Sequence, residues 1–226
     1  MSDRIRRLAS VTGVEDVQRT RAAYDGVAEL YAEISAGVMA AQPLDRAMFG
    51  VFAELAQGRG TVADIGCGPG RVTIHLDGLG LDVFGLDLSP EMIRLARAAH
   101  PNLRFEIGSM ERLDLPDASL GAILAWYSMI HTPPERVPGI VAEFGRVLTD
   151  GAPLLLGFQA ADDEFHDIQP YDHKVAPVYR WSLRRMAEVL AGGGFETVAQ
   201  LRRAPDPDGR CPHGCLLARK SATPAG

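Results

Sequence analysis

The residues Val62-Ala63-Asp64-Ile65-Gly66-Cys67-Gly68-Pro69-Gly70-Arg71 have the pattern of an apolar strand that runs into a glycine-rich turn and then into a helix. Glycines let the backbone turn sharply and approach a ligand at the carboxyl end of a strand, where open α/β sheets bind their ligands. The order is Gly-x-Gly-x-Gly, and the third glycine of the dinucleotide-binding motif would fall at Arg71. The turn therefore predicts a nucleotide site and weakens the case for NAD.

A carboxylate follows at the distance that such a site requires. The next apolar stretch, Val83-Phe84-Gly85-Leu86, ends in Asp87, 21 residues after Gly66. A carboxylate at this position can accept both hydroxyls of an unphosphorylated ribose, and this holds for any adenosyl ligand. Together with Asp64 before the turn, the spacing predicts a nucleotide-derived cofactor.

Short apolar runs alternate with segments of helical period along the chain, which predicts an α/β class with a Rossmann-like, doubly wound sheet. Five runs are predicted parallel strands, and two later stretches an antiparallel C-terminal hairpin, giving a mostly parallel seven-stranded sheet with helices on both faces. Ser89 and Thr132 are predicted to cap helices that begin directly after them. The predicted strands are 61–65, 82–86, 103–107, 121–126 and 153–158, then 196–203 and 214–219, with a helix at 182–191 between the two groups.

We expect one domain in the 226 residues. Its predicted parts are an N-terminal helical cap (1–43), a cofactor-binding core (59–158), an acceptor lid (159–180), and a C-terminal helix with the hairpin (181–226). The lid is inferred from the length of the polar and aromatic insert between Gln159 and Tyr179, because long inserts in compact domains are usually functional.

Composition narrows the classes of partner. The formal charge is −6 with no basic run, so nucleic acid is not expected. The charged N-terminus, the absence of an apolar run of about 20 residues and the three cysteines predict a soluble cytoplasmic protein without a membrane partner. No metal is expected, because Cys211-Pro212-His213-Gly214-Cys215 offers only half of a zinc site. For the oligomeric state, the sequence is compatible with a monomer and with a homodimer.

Two motifs resemble those of the class I S-adenosylmethionine-dependent methyltransferases, in the branch of small enzymes that act on metabolites. Residues 64–70 are similar to the family's first motif and residues 85–92 to its second, and the likeness extends over about residues 20–220. The resemblance implies S-adenosylmethionine as cofactor. It also implies roles for individual residues: Gly66 and Gly68 beside the methionine moiety, Asp64 on its ammonium, Asp87 on the ribose, and Leu88 and Met92 on the adenine.

Further cofactor contacts follow from the same resemblance. Ser109 and Met110 stand where the family usually has an acidic residue for the adenine amino group, and the Ser109 hydroxyl can accept the same bond. Tyr24 and Tyr31 resemble an N-terminal segment that folds over the cofactor; the alternative for Tyr31 is core packing. Cys67 lies within the glycine turn and is expected to be a small filler there, not a nucleophile.

Methyl transfer requires alignment of an acceptor, exclusion of water and, for oxygen acceptors, removal of a proton. His131 follows the fourth strand, and its ordinary pKa suits a general base; the alternative is that it orients the loop or the cofactor. Tyr127 is a candidate catalytic and acceptor-binding residue; the alternative is that it packs in the core. Trp126 is expected either to line the channel by cation–π attraction to a sulfonium or to pack in the core.

The acceptor is expected to be a small molecule methylated on oxygen or nitrogen, and contacted by at least one of His166, His173 and Tyr179 from the lid. Two alternatives remain. One is an NAD(P)-dependent oxidoreductase on the same fold, disfavoured by Arg71 and by the lack of a Tyr-x-x-x-Lys pair. The other is a non-catalytic S-adenosylmethionine-binding protein.

Overall fold

Seven strands form one sheet in the computed structural model, which describes residues 3–35, 37–171, 177–206 and 211–222. The first five are parallel and lie in the order β3-β2-β1-β4-β5, and the antiparallel pair β9 and β8 extends the sheet beyond β5. Their bounds are β1 Val62–Ile65, β2 Val83–Asp87, β3 Arg104–Ile107, β4 Ala122–Trp126, β5 Pro153–Gln159, β8 Phe195–Arg203 and β9 His213–Lys220. The predicted fold class is confirmed, and every predicted strand lies within one residue of the observed one.

Helices cover both faces of this sheet because its central strands are apolar on both sides. Alternate residues of β4 enter two separate cores: Ile123 packs with residues of α6 and α7, whereas Leu124 packs with residues of α3 and α4. The helices are α1 Asp3–Ser35, α2 Val38–Ala41, α3 Pro43–Ala56, α4 Arg71–Gly78, α5 Pro90–Ala99, α6 Val137–Val147 and α7 Leu183–Gly192. None of them, over the residues that the structure describes, has the length and apolarity needed to cross a membrane.

The two predicted helix starts differ in outcome. Ser89 caps α5 as predicted, and its hydroxyl accepts the backbone N–H of Met92 at 3.1 Å. The prediction for Thr132 is wrong, because α6 begins only at Val137, after a turn. Pro138 gives the reason: proline lacks an N–H and is tolerated only in the first helical turn, so a helix from Thr132 would place it in the interior.

The insert after β5 forms a second, two-stranded sheet. Its strands β6 (Ile168–Tyr171) and β7 (Val178–Trp181) are antiparallel. The hairpin is attached to the loop that follows β4, where the Tyr179 N–H donates to the carbonyl of Ile130 at 2.8 Å, and Trp181 at its end is fully buried. The insert is therefore a packed hairpin over its described residues.

Candidate functional site

A pocket lies at the carboxyl ends of β1, β2, β3 and β4 and is bordered by α1. Its empty volume is about 940 Å³, which includes the space at its open entrance. The strand order changes direction between β1 and β4, since β2 and β3 lie on one side of β1 and β4 and β5 on the other. Open α/β sheets bind ligands at such a switch point. The pocket has the size and position of a site for a small molecule or a nucleotide.

The glycine turn after β1 forms the floor of the pocket. Gly66 has a φ of +76°, and a Cβ atom added to it would lie 2.1 Å from the Cβ of Ser128. Glycine is therefore required at this position both by the backbone conformation and by the close approach of the β4 loop. Gly66 and Gly68 both line the pocket, as the sequence predicts.

Asp87, at the end of β2, is held by two backbone groups. Its Oδ2 accepts the N–H of Gly68 and its Oδ1 accepts the N–H of Ser89, both at 2.8 Å. Burial raises the pKa of Asp87, and these hydrogen bonds oppose that rise. Each carboxylate oxygen can accept more than one hydrogen bond, so both keep capacity for the hydroxyls of a ribose.

The pocket beside Asp87 toward β3 is mainly apolar. Leu88, Met92 and Met110 line it, and the hydroxyl of Ser109 stands among them. This hydroxyl also accepts the N–H of Glu111 at 3.3 Å. An apolar slot with one hydroxyl at its end suits a flat base. The family resemblance implies that the adenine lies at these same residues.

Asp64 and Cys67 do not line the pocket. Asp64 is 1% exposed, and its Oδ2 accepts the hydroxyl of Thr73 at 2.7 Å. Burial raises the pKa of Asp64 to about 7. Cys67 packs with Ile93 and Phe105 on the opposite side of the turn. The structure therefore does not bring these two predicted cofactor residues into direct contact with the pocket. Asp64 instead links the glycine turn to α4 through Thr73.

Helix α1 closes one side of the pocket. Two neighbouring residues attach it at two points: the Tyr24 hydroxyl lies 2.8 Å from Nε2 of His131, and Asp25 Oδ1 accepts the hydroxyl of Ser89 at 2.6 Å. Tyr31 also lines the pocket and contacts Tyr24 edge to face. Burial raises the pKa of Tyr24. The aromatic pair is thus part of the pocket lining, as the resemblance implies.

His131 lies on the pocket lining with a defined tautomer. Its Nδ1 is 2.8 Å from the carbonyl oxygen of Pro177, which can only accept, so Nδ1 carries the proton in the neutral ring. Nε2 is then the acceptor and receives the hydroxyl hydrogen of Tyr24. The basic nitrogen of His131 therefore faces α1 and the pocket.

Trp126 and Tyr127 both line the pocket. Trp126 is 7% exposed and packs on Phe49, with ring centroids 4.7 Å apart, so it serves the core and the pocket together. The hydroxyl of Tyr127 is engaged elsewhere, 2.6 Å from Nδ1 of His213. Burial raises the pKa of Tyr127. His213, which the sequence associates only with half of a zinc motif, is thus a partner of a pocket residue.

The three residues predicted to contact the acceptor are not part of the described pocket lining. His166 is exposed, and its Nδ1 lies 2.9 Å from Asp163. Tyr179 packs against the main core. His173 lies outside the described residues. Among the described residues the pocket is bordered by α1, and the insert reaches it only indirectly, through the Pro177 carbonyl at His131 Nδ1. The lid expected at 159–180 stays a prediction.

Sequence reasoning missed Ser128 and Arg136 on the pocket lining. Arg136 precedes α6 and forms ion pairs with Glu111 and, at 3.9 Å, with Asp16 of α1. These contacts join residues far apart in the chain, so no local pattern shows them. A positive φ at Tyr127, which turns Ser128 toward Gly66, is equally invisible in the sequence.

Comparison with known proteins agrees with this geometry. Residues 62–151 match a family model described as a methyltransferase domain. An uncharacterized methyltransferase of Mycobacterium tuberculosis is 35% identical over 102 residues, which are 45% of this chain and 41% of the relative. A malonyl-[acyl-carrier protein] O-methyltransferase of Erwinia billingiae is 34% identical over 134 residues, 58% of this chain and 51% of the relative. The chain thus spans about half the length of these relatives or less.

The fold has solved counterparts. One is a 1,6-didemethyltoxoflavin-N1-methyltransferase of Burkholderia thailandensis, solved with 1,6-didemethyltoxoflavin and S-adenosylhomocysteine bound, with a TM-score of 0.64 and 21% identity over 86% of this chain and 91% of that one. The glycine turn, Asp87 and the pocket lie within or beside the matched domain. Residues 62–151 therefore match a methyltransferase domain, in a chain whose fold resembles that of solved methyltransferases.

Proposed function

We propose that this protein transfers a methyl group from S-adenosylmethionine to an oxygen or nitrogen of a small-molecule acceptor, by in-line displacement and with S-adenosylhomocysteine as product. The observation that carries the proposal is the pocket at the switch point, in which a ribose-binding carboxylate, an apolar slot and a histidine with a defined tautomer follow one another along the strand ends. The methyltransferase family match supports it.

The residues present fit the cofactor. Asp87 would hold the ribose, Leu88 and Met92 would contact the adenine, and the backbone of Gly66 would lie beside the amino-acid end. Glycine at position 66 fits this role, since its φ is +76° and a Cβ there would lie 2.1 Å from the Cβ of Ser128. When bound, S-adenosylmethionine supplies an electrophilic methyl group.

The protein has to orient the acceptor, exclude water and accept a proton. Helix α1 excludes water through its contacts at Tyr24 and Asp25. We assign the proton to Nε2 of His131, which is already an acceptor in the neutral ring. The acceptor hydroxyl or amine would take the place of the Tyr24 hydroxyl at this nitrogen, or would pass its proton through it.

Tyr127 and Trp126 supply the aromatic surface on the β4 side of the pocket. Because the Tyr127 hydroxyl is bound to His213, its contribution to the pocket is the ring face, which favours a nearby sulfonium charge. His166, His173 and Tyr179 are left without a proposed role.

The acceptor class is proposed from the dimensions of the pocket and from the named relatives. Those relatives include a demethylmenaquinone methyltransferase and a magnesium-protoporphyrin O-methyltransferase, besides the malonyl-[acyl-carrier protein] enzyme. These names give a metabolite or an acyl carrier-bound group as the molecule that is methylated. A small organic acid, phenol or amine that fits beside His131 is the acceptor we propose.

The test is a turnover assay with purified protein, S-adenosylmethionine and a panel of small carboxylic acids, phenols and amines. We expect S-adenosylhomocysteine to form only with a productive acceptor, together with a product heavier by one methylene group in mass spectrometry. A protein that binds S-adenosylhomocysteine but gives no product with any member of the panel supports the non-catalytic alternative. Binding of NAD in preference would support the oxidoreductase alternative.

A further inference from the structure

The nitrogen to which we assign the acceptor proton already has a partner. Nε2 of His131 lies 2.8 Å from the Tyr24 hydroxyl, and Nδ1 lies 2.8 Å from the Pro177 carbonyl, to which it donates. The unprotonated nitrogen of an imidazole accepts through one lone pair, which the Tyr24 hydroxyl uses. An acceptor can therefore reach this base in two ways: it displaces the Tyr24 hydroxyl, or it passes its proton through that hydroxyl.

Both members of this pair are fixed by contacts outside it. On α1, the residue next to Tyr24 is Asp25, which accepts the Ser89 hydroxyl at 2.6 Å. On the other side, the Pro177 carbonyl holds the ring of His131. Displacement of the Tyr24 hydroxyl would have to move one of these elements. Passage of a proton through the hydroxyl leaves both in place.

A hydroxyl can make both hydrogen bonds that such a passage requires. It donates one hydrogen and has two lone pairs, so the Tyr24 hydroxyl can donate to Nε2 of His131 while it accepts a hydrogen bond from an acceptor. Tyr24 and His131 both line the pocket. A molecule bound there is therefore next to the pair.

The Tyr24 hydroxyl is not suited to be the final base. Burial raises the pKa of Tyr24, and the carboxylate of Asp87 raises it further, so the tyrosinate is disfavoured. A hydroxyl that stays neutral must release its own proton as it receives another. A proton that enters at Tyr24 is therefore matched by one that arrives at His131.

We propose that Tyr24 is a catalytic residue, which passes the proton of the acceptor to Nε2 of His131. The proposal rests on the proposed function and narrows the acceptor to a phenol or an amine, which carries a proton on the attacking atom. The lone pair of that atom forms the bond to the methyl carbon, and the electron pair of the broken carbon–sulfur bond stays on sulfur. The acceptor proton moves to the Tyr24 oxygen as the Tyr24 proton moves to Nε2. The positive charge lost at sulfur thus appears on His131.

Tyr24→Phe separates the two routes, because they predict changes of opposite sign. The variant removes the hydroxyl and keeps the ring. With the phenol or amine of highest turnover in the acceptor panel, we expect kcat to fall about 100-fold or more, as for loss of a positioned proton-transfer group. Displacement predicts instead that kcat/KM rises, because Nε2 is then open to the acceptor. Tyr171→Phe removes a tyrosine hydroxyl in β6, outside the pocket lining, and should keep wild-type kcat.

Asp25→Ala distinguishes catalysis by Tyr24 from attachment of α1. Each of Tyr24→Phe and Asp25→Ala removes one attachment of the helix, so each should weaken S-adenosylhomocysteine binding about 3- to 10-fold. At saturating S-adenosylmethionine and acceptor, the large loss of kcat should occur only in Tyr24→Phe. Equal losses of kcat in the two variants would show that Tyr24 only holds the helix, and would overturn the inference.

Nitrogen-15 NMR of the protein without ligand gives a readout that does not depend on turnover. The unprotonated Nε2 of His131 accepts a hydrogen bond from Tyr24, so its resonance should move to higher chemical shift in Tyr24→Phe. The resonance is assigned by its absence from the spectrum of His131→Ala. An unchanged shift would mean that the two groups are not hydrogen-bonded, which also overturns the inference.

The remaining outcomes separate this inference from the function on which it rests. An active wild-type protein with unchanged or increased kcat/KM in Tyr24→Phe overturns the inference and leaves the proposed function standing. A panel in which only carboxylic acids are methylated does the same, because carboxylic acids are ionised near neutral pH and have no proton to pass. A wild-type protein that methylates no member of the panel overturns the proposed function and the inference together.

Discussion

Among the side chains along the strand ends, Asp87 has the central place in the ligand site that we propose. Its two oxygens order the glycine turn and the start of α5 through Gly68 and Ser89. The same oxygens would bind the ribose, so the residue links the local backbone to affinity. Its position was predictable because the strand, the turn and the carboxylate lie close together in the sequence.

We expect Asp87→Ala to weaken S-adenosylhomocysteine binding by about 1–3 kcal/mol, through the loss of charge-assisted hydrogen bonds to the ribose. Calorimetry measures this directly. Asp82→Ala is the matched control, since Asp82 lies at the other end of β2 and bonds to Thr61. An Asp87→Ala protein with wild-type affinity would remove Asp87 from the site.

For His131 we expect His131→Ala to lower kcat about 100-fold or more, because the acceptor proton loses its base. S-adenosylhomocysteine binding should weaken only about 3- to 10-fold, because one attachment of α1, at Tyr24, is lost. Steady-state kinetics and calorimetry on the same preparation separate the two effects. His100→Ala, at the end of α5 beside Phe105, is the control and should keep wild-type kcat. A rate near wild type in His131→Ala would reduce the histidine to a role in orienting the loop.

The roles of Asp64 and Ser128 show where residue-level prediction fails. Asp64 belongs to the matching motif, but its side chain points to Thr73 behind the turn. Ser128 has no motif of its own and reaches the pocket because Tyr127 adopts a positive φ. Side-chain direction after a strand depends on one backbone angle, which the residue type does not specify.

Helix α1 is held in place by contacts distant in sequence. Its Asp25 carboxylate accepts the Ser89 hydroxyl at 2.6 Å, and Ser89 in turn caps α5. The Ser89 hydroxyl therefore joins α1 to the start of α5. The sequence indicated that the Tyr24 segment covers the pocket, but not by which contacts.

We expect Asp25→Ala to loosen α1, raising amide hydrogen exchange in residues 16–35 and weakening S-adenosylhomocysteine binding about 3- to 10-fold, since each lost hydrogen bond contributes about 1 kcal/mol. Hydrogen exchange followed by mass spectrometry is the measurement. Glu33→Ala changes an exposed carboxylate of the same helix and should leave both quantities at wild-type values. Unchanged exchange in Asp25→Ala would show that other contacts hold the helix.

The strands were predictable to within one residue because their apolar runs are short and several are bounded by glycine, proline or charged residues, such as Gly66 after β1 and Gly108 after β3. The start of α6 was not predictable in the same way. A capping pattern begins at Thr132, but Pro138 must lie in the first turn of a helix, so α6 begins at Val137. The insert was identified as a separate element, but its position was not predictable, since attachment to Ile130 is a tertiary contact.

For the whole molecule, the buried carboxyl group of Asp64 links stability to pH. Burial raises its pKa from 3.8 to about 7. The folded protein therefore binds more protons than the unfolded chain between those values, and stability falls as pH rises from about 4 to about 7. The loss is on the order of a few kcal/mol, because each pKa unit corresponds to about 1.4 kcal/mol.

We expect Asp64→Asn to abolish this contribution, so that its free energy of unfolding varies less between pH 4 and pH 8 than that of the wild type. Urea titrations at several pH values measure the difference. Asp82→Asn, a change at an exposed carboxylate, should keep the wild-type pH profile. Parallel profiles for Asp64→Asn and the wild type would mean that Asp64 is ionised throughout this range in the folded protein.

For the whole molecule, the fold class was predictable from the alternation of strands and helices in the sequence. The cofactor was predictable from the two motifs at residues 64–70 and 85–92. The acceptor does not follow, because the part of the pocket that would receive it is assembled from α1 and the β4 loop, which carry no readable motif.

The most direct test of the central claim is a calorimetric titration of the wild-type protein with S-adenosylhomocysteine, S-adenosylmethionine and NAD in parallel. We predict binding of both adenosyl sulfur ligands at micromolar Kd and no heat signal with NAD, as expected for a pocket whose glycine turn ends at Arg71. Binding of NAD without binding of the two adenosyl sulfur ligands would contradict the assignment of the pocket and of the methyl-transfer function.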